Sequence, residues 1–275
     1  MKLLSRAALA ATAILSVPAT AQTPLELAER LYERAAIAAQ LAPIPAQFAQ
    51  GLEPYRGKMP DEVIAALVKG GEKSFAEEAL RGGIVADIAR KMKPDDIVKT
   101  LDWLDSLVGR RVTLAEAGAA ADIGTDAMRA WLGSEQGKAR RPERDKALAE
   151  LIRTTRAVEI GAGFIEAVSL GIAVGMDATQ PVEKRIGIAG LRARLRQAMP
   201  PERLRADVAA MLPPIYAYVY REVSDADLAA YVKFSASPLG SRYSEAVAGA
   251  LVRALARASV SIGENMPVVP ERKQI

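Results

Sequence analysis

The chain resembles itself at an offset of 131 residues, in one register and without a gap. Such self-similarity predicts two copies of one structural unit. Helix-breaking residues coincide as well, since Gly82-Gly83 align with Pro213-Pro214, and both pairs are expected to interrupt a helix. The identical or chemically similar pairs are Asp96 with Asp227, Trp103 with Phe234, Ser106 with Ser237, Gly109 with Gly240 and Arg111 with Arg242.

Each copy is interpreted as a helical hairpin with a tight corner. A short helix carries the aromatic residue, Trp103 or Phe234, on its apolar side, where it is expected to anchor the core. The motif Ser-x-x-Gly follows, and in the second copy Pro238 suits the first position of the next helix. Serine is a favoured N-cap, and a glycine in the first turn allows two helices to approach closely. These residues are Ser106, Gly109, Ser237 and Gly240.

The rest of the sequence is also helical in character. About a fifth of the residues are Ala, the strongest helix former, and no alternating run bounded by hairpin turns occurs. We predict an all-α fold in which tandem duplicated helical-hairpin units pack as a helical bundle. The predicted ranges are a first repeat at 22–132, a linker at 133–145, a second repeat at 146–265 and a disordered tail at 266–275.

Several local patterns predict where helices begin and end. A hydroxyl side chain three positions before an acid, the pattern of a helix N-terminus, begins at Thr23, Ser74 and Ser224. The first of these helices is expected to end at Pro43 and Pro45.

One apolar segment, 157–176, could be mistaken for a membrane span. Glu159 and Glu166 lie on one helical face within it, and a carboxylate is costly in lipid. We interpret it as a buried helix with one solvent-exposed edge.

The N-terminus has the pattern of a signal peptide at 1–21. Lys2 and Arg6 precede an uncharged, mostly apolar run, and a small-x-small pattern ends at Ala21. An uncleaved anchor is the alternative, but the apolar run of 7–17 would span only about 16 Å as a helix, against about 30 Å for a bilayer core. We therefore predict cleavage after Ala21 and a periplasmic location.

The composition excludes several kinds of chemistry. The chain has no His and no Cys, so it contains no Ser-His-Asp triad, thiolate nucleophile, disulfide, or imidazole or thiolate metal ligand. We accordingly expect no metal and no cofactor. The formal charge of +4 would fall to +2 on loss of residues 1–21, which does not favour nucleic acid as a partner.

The residues around the second corner resemble a known family. An acidic helix start at Asp225, an aromatic at Phe234 and then Ser237-Pro238-x-Gly240 before an apolar helix are similar to the pattern of the secreted bacterial family called domain of unknown function 2059. The first copy is similar through Trp103, Ser106 and Gly109, with Leu107 in place of the proline. The resemblance implies an exported helical domain of unestablished biochemical role, and it assigns no catalytic residue.

Two groups of charged residues offer alternative functions. Pairs of carboxylates could hydrolyse envelope glycans without histidine, although solvated surface acids are the simpler interpretation. These pairs are Asp95 with Asp96, Asp102 with Asp105, and Glu77 with Glu78. A stripe of arginines could face an anionic membrane surface, or could be a solvated helix face balanced by nearby acids. The stripe consists of Arg185, Arg192, Arg196 and Arg203.

An alternating run of tyrosines indicates an interface. Tyr216, Tyr218 and Tyr220 cannot all lie on one side of a helix, so some of them are expected to be exposed or to meet a partner. Together the patterns favour a non-enzymatic interaction or envelope-maintenance role, with an unknown protein partner contacted through helices. The carboxylate hydrolase and the peripheral membrane binder are the alternatives.

Overall fold

The computed structural model describes residues 22–139, 141–264 and 266, and across these ranges the chain is all-α without a β-strand. The all-α prediction is therefore confirmed. The predicted signal peptide at 1–21 and all of the predicted tail except Met266 lie outside the described residues. The helices are α1 (Pro24–Arg34), α2 (Ile37–Leu41), α3 (Ile44–Gly51), α4 (Asp61–Ser74), α5 (Glu77–Lys91), α6 (Pro94–Asp105), α7 (Leu107–Ala119), α8 (Asp126–Gly133), α9 (Glu135–Lys138), α10 (Pro142–Thr154), α11 (Ala157–Ala178), α12 (Gly187–Ala198), α13 (Pro201–Val219), α14 (Asp225–Ser235) and α15 (Pro238–Glu264).

The core is built around α11 and α15, which pack along each other. Side chains of α1, α4, α5 and α6 join α15 in the largest apolar cluster, which combines Leu31 and Ile84 with Ala250 and Leu255. Both predicted repeats thus contribute to one core. The predicted linker range contains the short helix α9 and the beginning of α10.

The two central helices are also long and apolar enough to cross a membrane, judged by length and composition alone. In this fold they are covered by other helices, and glycines allow the close contact. A Cβ on Gly175 would lie 2.2 Å from Cδ2 of Leu67, and one on Gly171 would lie 2.7 Å from Cδ1 of Ile262. Glu159 of α11 is exposed, as expected for the solvated edge of a core helix.

The first helix begins as predicted but ends earlier. The Thr23 hydroxyl accepts a hydrogen bond from the Glu26 amide, and the Glu26 carboxylate accepts one from the Thr23 amide. The helix stops at Arg34 because Ala36 has a left-handed conformation, with φ of 49°. Pro45 lies in the first turn of α3, where a missing N–H costs little.

The other two predicted caps have different outcomes. Ser224 caps α14, and its hydroxyl accepts a hydrogen bond from the amide of Asp227 at 3.1 Å. The prediction for Ser74 is wrong, because Ser74 is the last residue of α4 and its hydroxyl instead accepts a hydrogen bond from Ser261.

Neither predicted pair of helix breakers interrupts a helix. Gly82 and Gly83 lie inside α5, and Pro213 and Pro214 lie inside α13. The carbonyl groups that lose a donor to the two prolines belong to exposed residues, where water can replace the missing hydrogen bond. The aligned breakers therefore do not support a repeat.

Candidate interaction surface and neighbouring polar sites

The two Ser-x-x-Gly corners have the predicted geometry. Ser106 caps α7 and its hydroxyl accepts a hydrogen bond from the Gly109 amide at 3.1 Å, while Ser237 accepts one from the Gly240 amide at 3.0 Å. A Cβ on Gly109 would lie 2.2 Å from the carbonyl oxygen of Trp103. A Cβ on Gly240 would lie 2.0 Å from the carbonyl oxygen of Phe234. Only glycine allows the two helices of each corner to approach this closely.

The aromatic residues of the two corners stack on each other. The ring centroids of Trp103 and Phe234 lie 3.9 Å apart with an interplanar angle of 8°, and the ring of Tyr231 is also stacked on Trp103, at a centroid distance of 5.3 Å. Phe234 is buried, as a core anchor should be, whereas Trp103 is only half-buried. The aromatic positions therefore form the seam between the two predicted copies.

Two ion pairs join the two predicted copies. Asp96 accepts hydrogen bonds from Arg242 at 2.9 and 3.0 Å, and Asp227 accepts one from Arg111 at 3.1 Å. Each ion pair is thus the sequence counterpart of the other, because Asp96 aligns with Asp227 and Arg242 aligns with Arg111. Two similar units related by an approximate two-fold axis would make this pattern of contacts.

The three alternating tyrosines do not form an exposed interface, so that prediction is wrong. Tyr218 and Tyr220 are buried and Tyr216 is half-buried, because the end of α13 packs against α7 and α8 as well as α10. Each hydroxyl makes a hydrogen bond to a side chain of another segment. The partners are Thr155 for Tyr216, Asp122 for Tyr218 and Glu116 for Tyr220.

A polar group that the sequence analysis missed lies in this region. Glu116 accepts hydrogen bonds from the hydroxyls of Tyr220 at 2.6 Å and Tyr231 at 3.1 Å. Burial raises the pKa of its carboxyl group, although both hydrogen bonds oppose the shift. The one feature of the sequence that could have indicated this site is that Glu116 is an isolated acid between Ala115 and Ala117.

This raised pKa predicts a pH-dependent stability. Because the folded chain holds the proton of Glu116 more tightly than the unfolded chain, the stabilisation is complete below the unfolded pKa of about 4.3. It is lost as the pH rises through the folded pKa. Glu116→Gln should therefore gain stability relative to the native chain between pH 4 and pH 8, measured by urea unfolding. The exposed Glu62→Gln is the control, and an equal trend in both variants would contradict the prediction.

The predicted carboxylate pairs do not meet in a cavity. One member of each pair is engaged elsewhere, while the other is exposed to solvent, and none of the six lines either of the two cavities described for the chain. Across the described residues, no group of three or more acids could hold a metal ion. The engaged members are Glu77, which accepts from Tyr32, Asp96, which accepts from Arg242, and Asp105, which pairs with Arg34.

The arginine stripe lies on an exposed segment, 182–211, which we call the basic arm. It contains α12 and the first half of α13, and it has seven basic and three acidic side chains. The ion pair between Arg203 and Asp207 is a long one, with 3.9 Å between Nε and Oδ2. Within the described chain, no partner contacts the guanidinium groups of Arg192, Arg194 or Arg205. Arg196 is also exposed, and its Nε lies 3.4 Å from a backbone carbonyl of its own helix.

Arg185 has a different role from the rest of the stripe. Its guanidinium donates to the carbonyl oxygens of Ala178 and Gln180 at 2.7 and 2.9 Å, at the end of α11. The Asp177 carboxylate accepts hydrogen bonds from the amides of residues 186 and 187, both at 3.0 Å. These contacts hold the loop before α12 in a defined shape.

The loop held by these contacts and the first turn of α12 display three aliphatic side chains, which we call the apolar tip. Val182 is 75% exposed, Ile186 36% and Ile188 39%. On the opposite side of the arm, Leu191 packs on Leu170 and Val174 of α11. The arm thus has an anchored underside and an outward surface that combines aliphatic groups with unpaired cations.

No protein-family model, curated protein or solved structure matches the chain. The resemblance of the second corner to domain of unknown function 2059 therefore stays a prediction.

Proposed function

We propose that the chain is an exported, non-enzymatic protein of the cell envelope that attaches to an anionic membrane surface through its basic arm. The combination of unpaired arginines with a fixed apolar tip on one exposed segment carries this proposal. We further propose that the fold arose by tandem duplication, which the reciprocal ion pairs and the stacked aromatic rings support.

The distribution of charge favours a membrane over a neutral partner. The arm has a surplus of four positive charges, whereas the chain that starts at Gln22 has a formal charge of +2, so its remaining residues carry a net charge of −2. Each Lys or Arg near an anionic leaflet contributes about 1 kcal/mol of attraction. Because Asp177 and Arg185 already hold the loop, inserting Val182, Ile186 and Ile188 into the headgroup region costs little ordering entropy.

Sedimentation with vesicles tests the attachment. The chain beginning at Gln22 should bind phosphatidylglycerol vesicles but not phosphatidylcholine vesicles, and high salt should weaken the binding. Combined Arg192→Gln, Arg194→Gln and Arg196→Gln should weaken it by roughly a hundredfold at low salt. Ile186→Ser with Ile188→Ser should weaken it through the loss of apolar contact.

A matched control removes the same charge from other exposed sites. Arg110→Gln, Arg129→Gln and Arg153→Gln together should have a much smaller effect on vesicle binding. An equal loss in the control, or equal binding to neutral vesicles, would reject the membrane proposal. It would favour instead a protein partner in the envelope, the other expectation from the sequence.

Export is tested by the mass of the native protein. Material from the periplasm should have the intact mass of a chain that starts at Gln22, because the small-x-small pattern ends at Ala21. Recovery of the full-length chain in the membrane fraction would indicate an uncleaved anchor instead.

A further inference from the structure

We propose that a cavity between α5, α11 and α15 binds a phosphate-type oxyanion. The cavity has a volume of about 460 Å³, which is within the usual range for small-molecule sites. Small residues of α15, including Ala246 and Gly249, contribute to its lining. Its charged lining consists of Lys91, Arg156, Glu159, Arg242, Glu245 and Arg253.

The central group is Arg253, which a buried carboxylate holds in place. Asp87 is only 4% exposed and accepts a hydrogen bond from Nε of Arg253 at 2.7 Å. Arg90 also pairs with Asp87, and Arg257 approaches it at 3.8 Å. Three guanidinium groups therefore surround one carboxylate. One positive charge would neutralise Asp87, so this cluster has a surplus of two positive charges.

The remaining edge of Arg253 has an unsatisfied donor. Nη2 is buried and, among the described residues, has no hydrogen-bond partner. A Cβ on Gly249 would lie 3.0 Å from Nη1, so the absence of a side chain there makes room for the guanidinium. A buried charged donor without a partner is costly, and an oxyanion that binds both Nη groups through a small rotation of the guanidinium would remove that cost.

The other charges define the kind of ligand. Arg156 pairs with Glu159 at 2.9 Å and Arg242 pairs with Asp96, so these cations are largely neutralised. Lys91 and Glu245 have no partner within the described chain. A planar guanidinium beside an ammonium group suits a phosphate oxyanion, which Arg253 would bind through two donors and Lys91 through its point charge.

This site is separate from the basic arm. Arg156 and Glu159 lie at the beginning of α11, whereas the arm packs on Leu170 and Val174 in its second half. Loss of vesicle binding by arm variants and loss of phosphate binding by cavity variants are therefore independent results.

Calorimetric titration of the native chain with inorganic phosphate and pyrophosphate, at constant ionic strength, tests the proposal. We expect saturable binding that Arg253→Gln weakens more than tenfold. Lys91→Gln should weaken it about twofold to fivefold, and Glu245→Gln should strengthen it about twofold to fivefold. Both of these positions are exposed, so these variants remain informative even if Arg253→Gln fails to fold.

Arg129→Gln, which removes an exposed guanidinium on α8, should leave phosphate binding unchanged. The proposal would be overturned if phosphate, pyrophosphate and phosphatidic acid vesicles all failed to bind saturably, or if Lys91→Gln and Glu245→Gln had equal effects. Phosphatidic acid vesicles test a second source of the oxyanion. If they bind while free phosphate does not, and if Lys91→Gln weakens and Glu245→Gln strengthens that binding, the oxyanion is a lipid headgroup.

Discussion

Phe234→Ala should destabilise the chain by about 3–5 kcal/mol, the usual cost of removing a buried aromatic side chain. Phe234 is 8% exposed and stacks on Trp103 at the seam. Trp103→Ala should cost less, about 2 kcal/mol, because Trp103 is only half-buried. The free energy of unfolding in urea measures both effects.

Leu114→Ala is the control for these truncations, because Leu114 is largely exposed and should change stability by less than about 0.5 kcal/mol. The chain has only two Trp residues, so fluorescence in a Trp131→Phe background reports on Trp103 alone. Unchanged unfolding in Phe234→Ala, together with emission from Trp103 that iodide quenches fully, would indicate an open pocket rather than a packed seam.

Gly240→Ala should cost about 3 kcal/mol, at the upper end of the range for overpacking. The new Cβ would lie 2.0 Å from the carbonyl oxygen of Phe234, and a backbone atom cannot move aside as a flexible side chain can. Gly109→Ala should behave similarly, because its Cβ would lie 2.2 Å from the carbonyl oxygen of Trp103.

Gly82→Ala is the matched control for the corner glycines. Gly82 lies inside α5 and a Cβ there would meet no atom within 4 Å, so alanine should stabilise the helix by about 0.5–1 kcal/mol. If Gly240→Ala proved as harmless as Gly82→Ala, the corner would be open rather than tight.

Local features could be predicted from the sequence because they depend on neighbouring residues. The caps formed by Thr23, Ser106 and Ser237 each join a hydroxyl to an amide three positions away. The predictions of local structure failed where contacts with distant parts of the chain determine the hydrogen bonds. Ser74 has the right neighbours for a cap, yet its hydroxyl bonds to Ser261, which is 187 positions away.

The polar sites were harder to predict for the same reason. Tyr220 looks like an exposed side chain until Glu116, 104 positions earlier, supplies its acceptor. Asp87 and Arg253 are separated by 166 positions, and no local pattern joins them. The arginine stripe was found because its exposure follows from composition and spacing, whereas the hydrogen bonds that hold Arg185 depend on where α11 ends.

The position of α15 determines when the chain can fold. Its residues complete the main core, and Arg242 reaches across 146 positions to Asp96. Contacts between distant residues close large loops and form late. A chain that emerges N-terminus first must therefore hold α1, α5 and α6 without their central partner until nearly all of it has been synthesised. Loss of even a C-terminal quarter would then remove the partner on which the earlier helices depend.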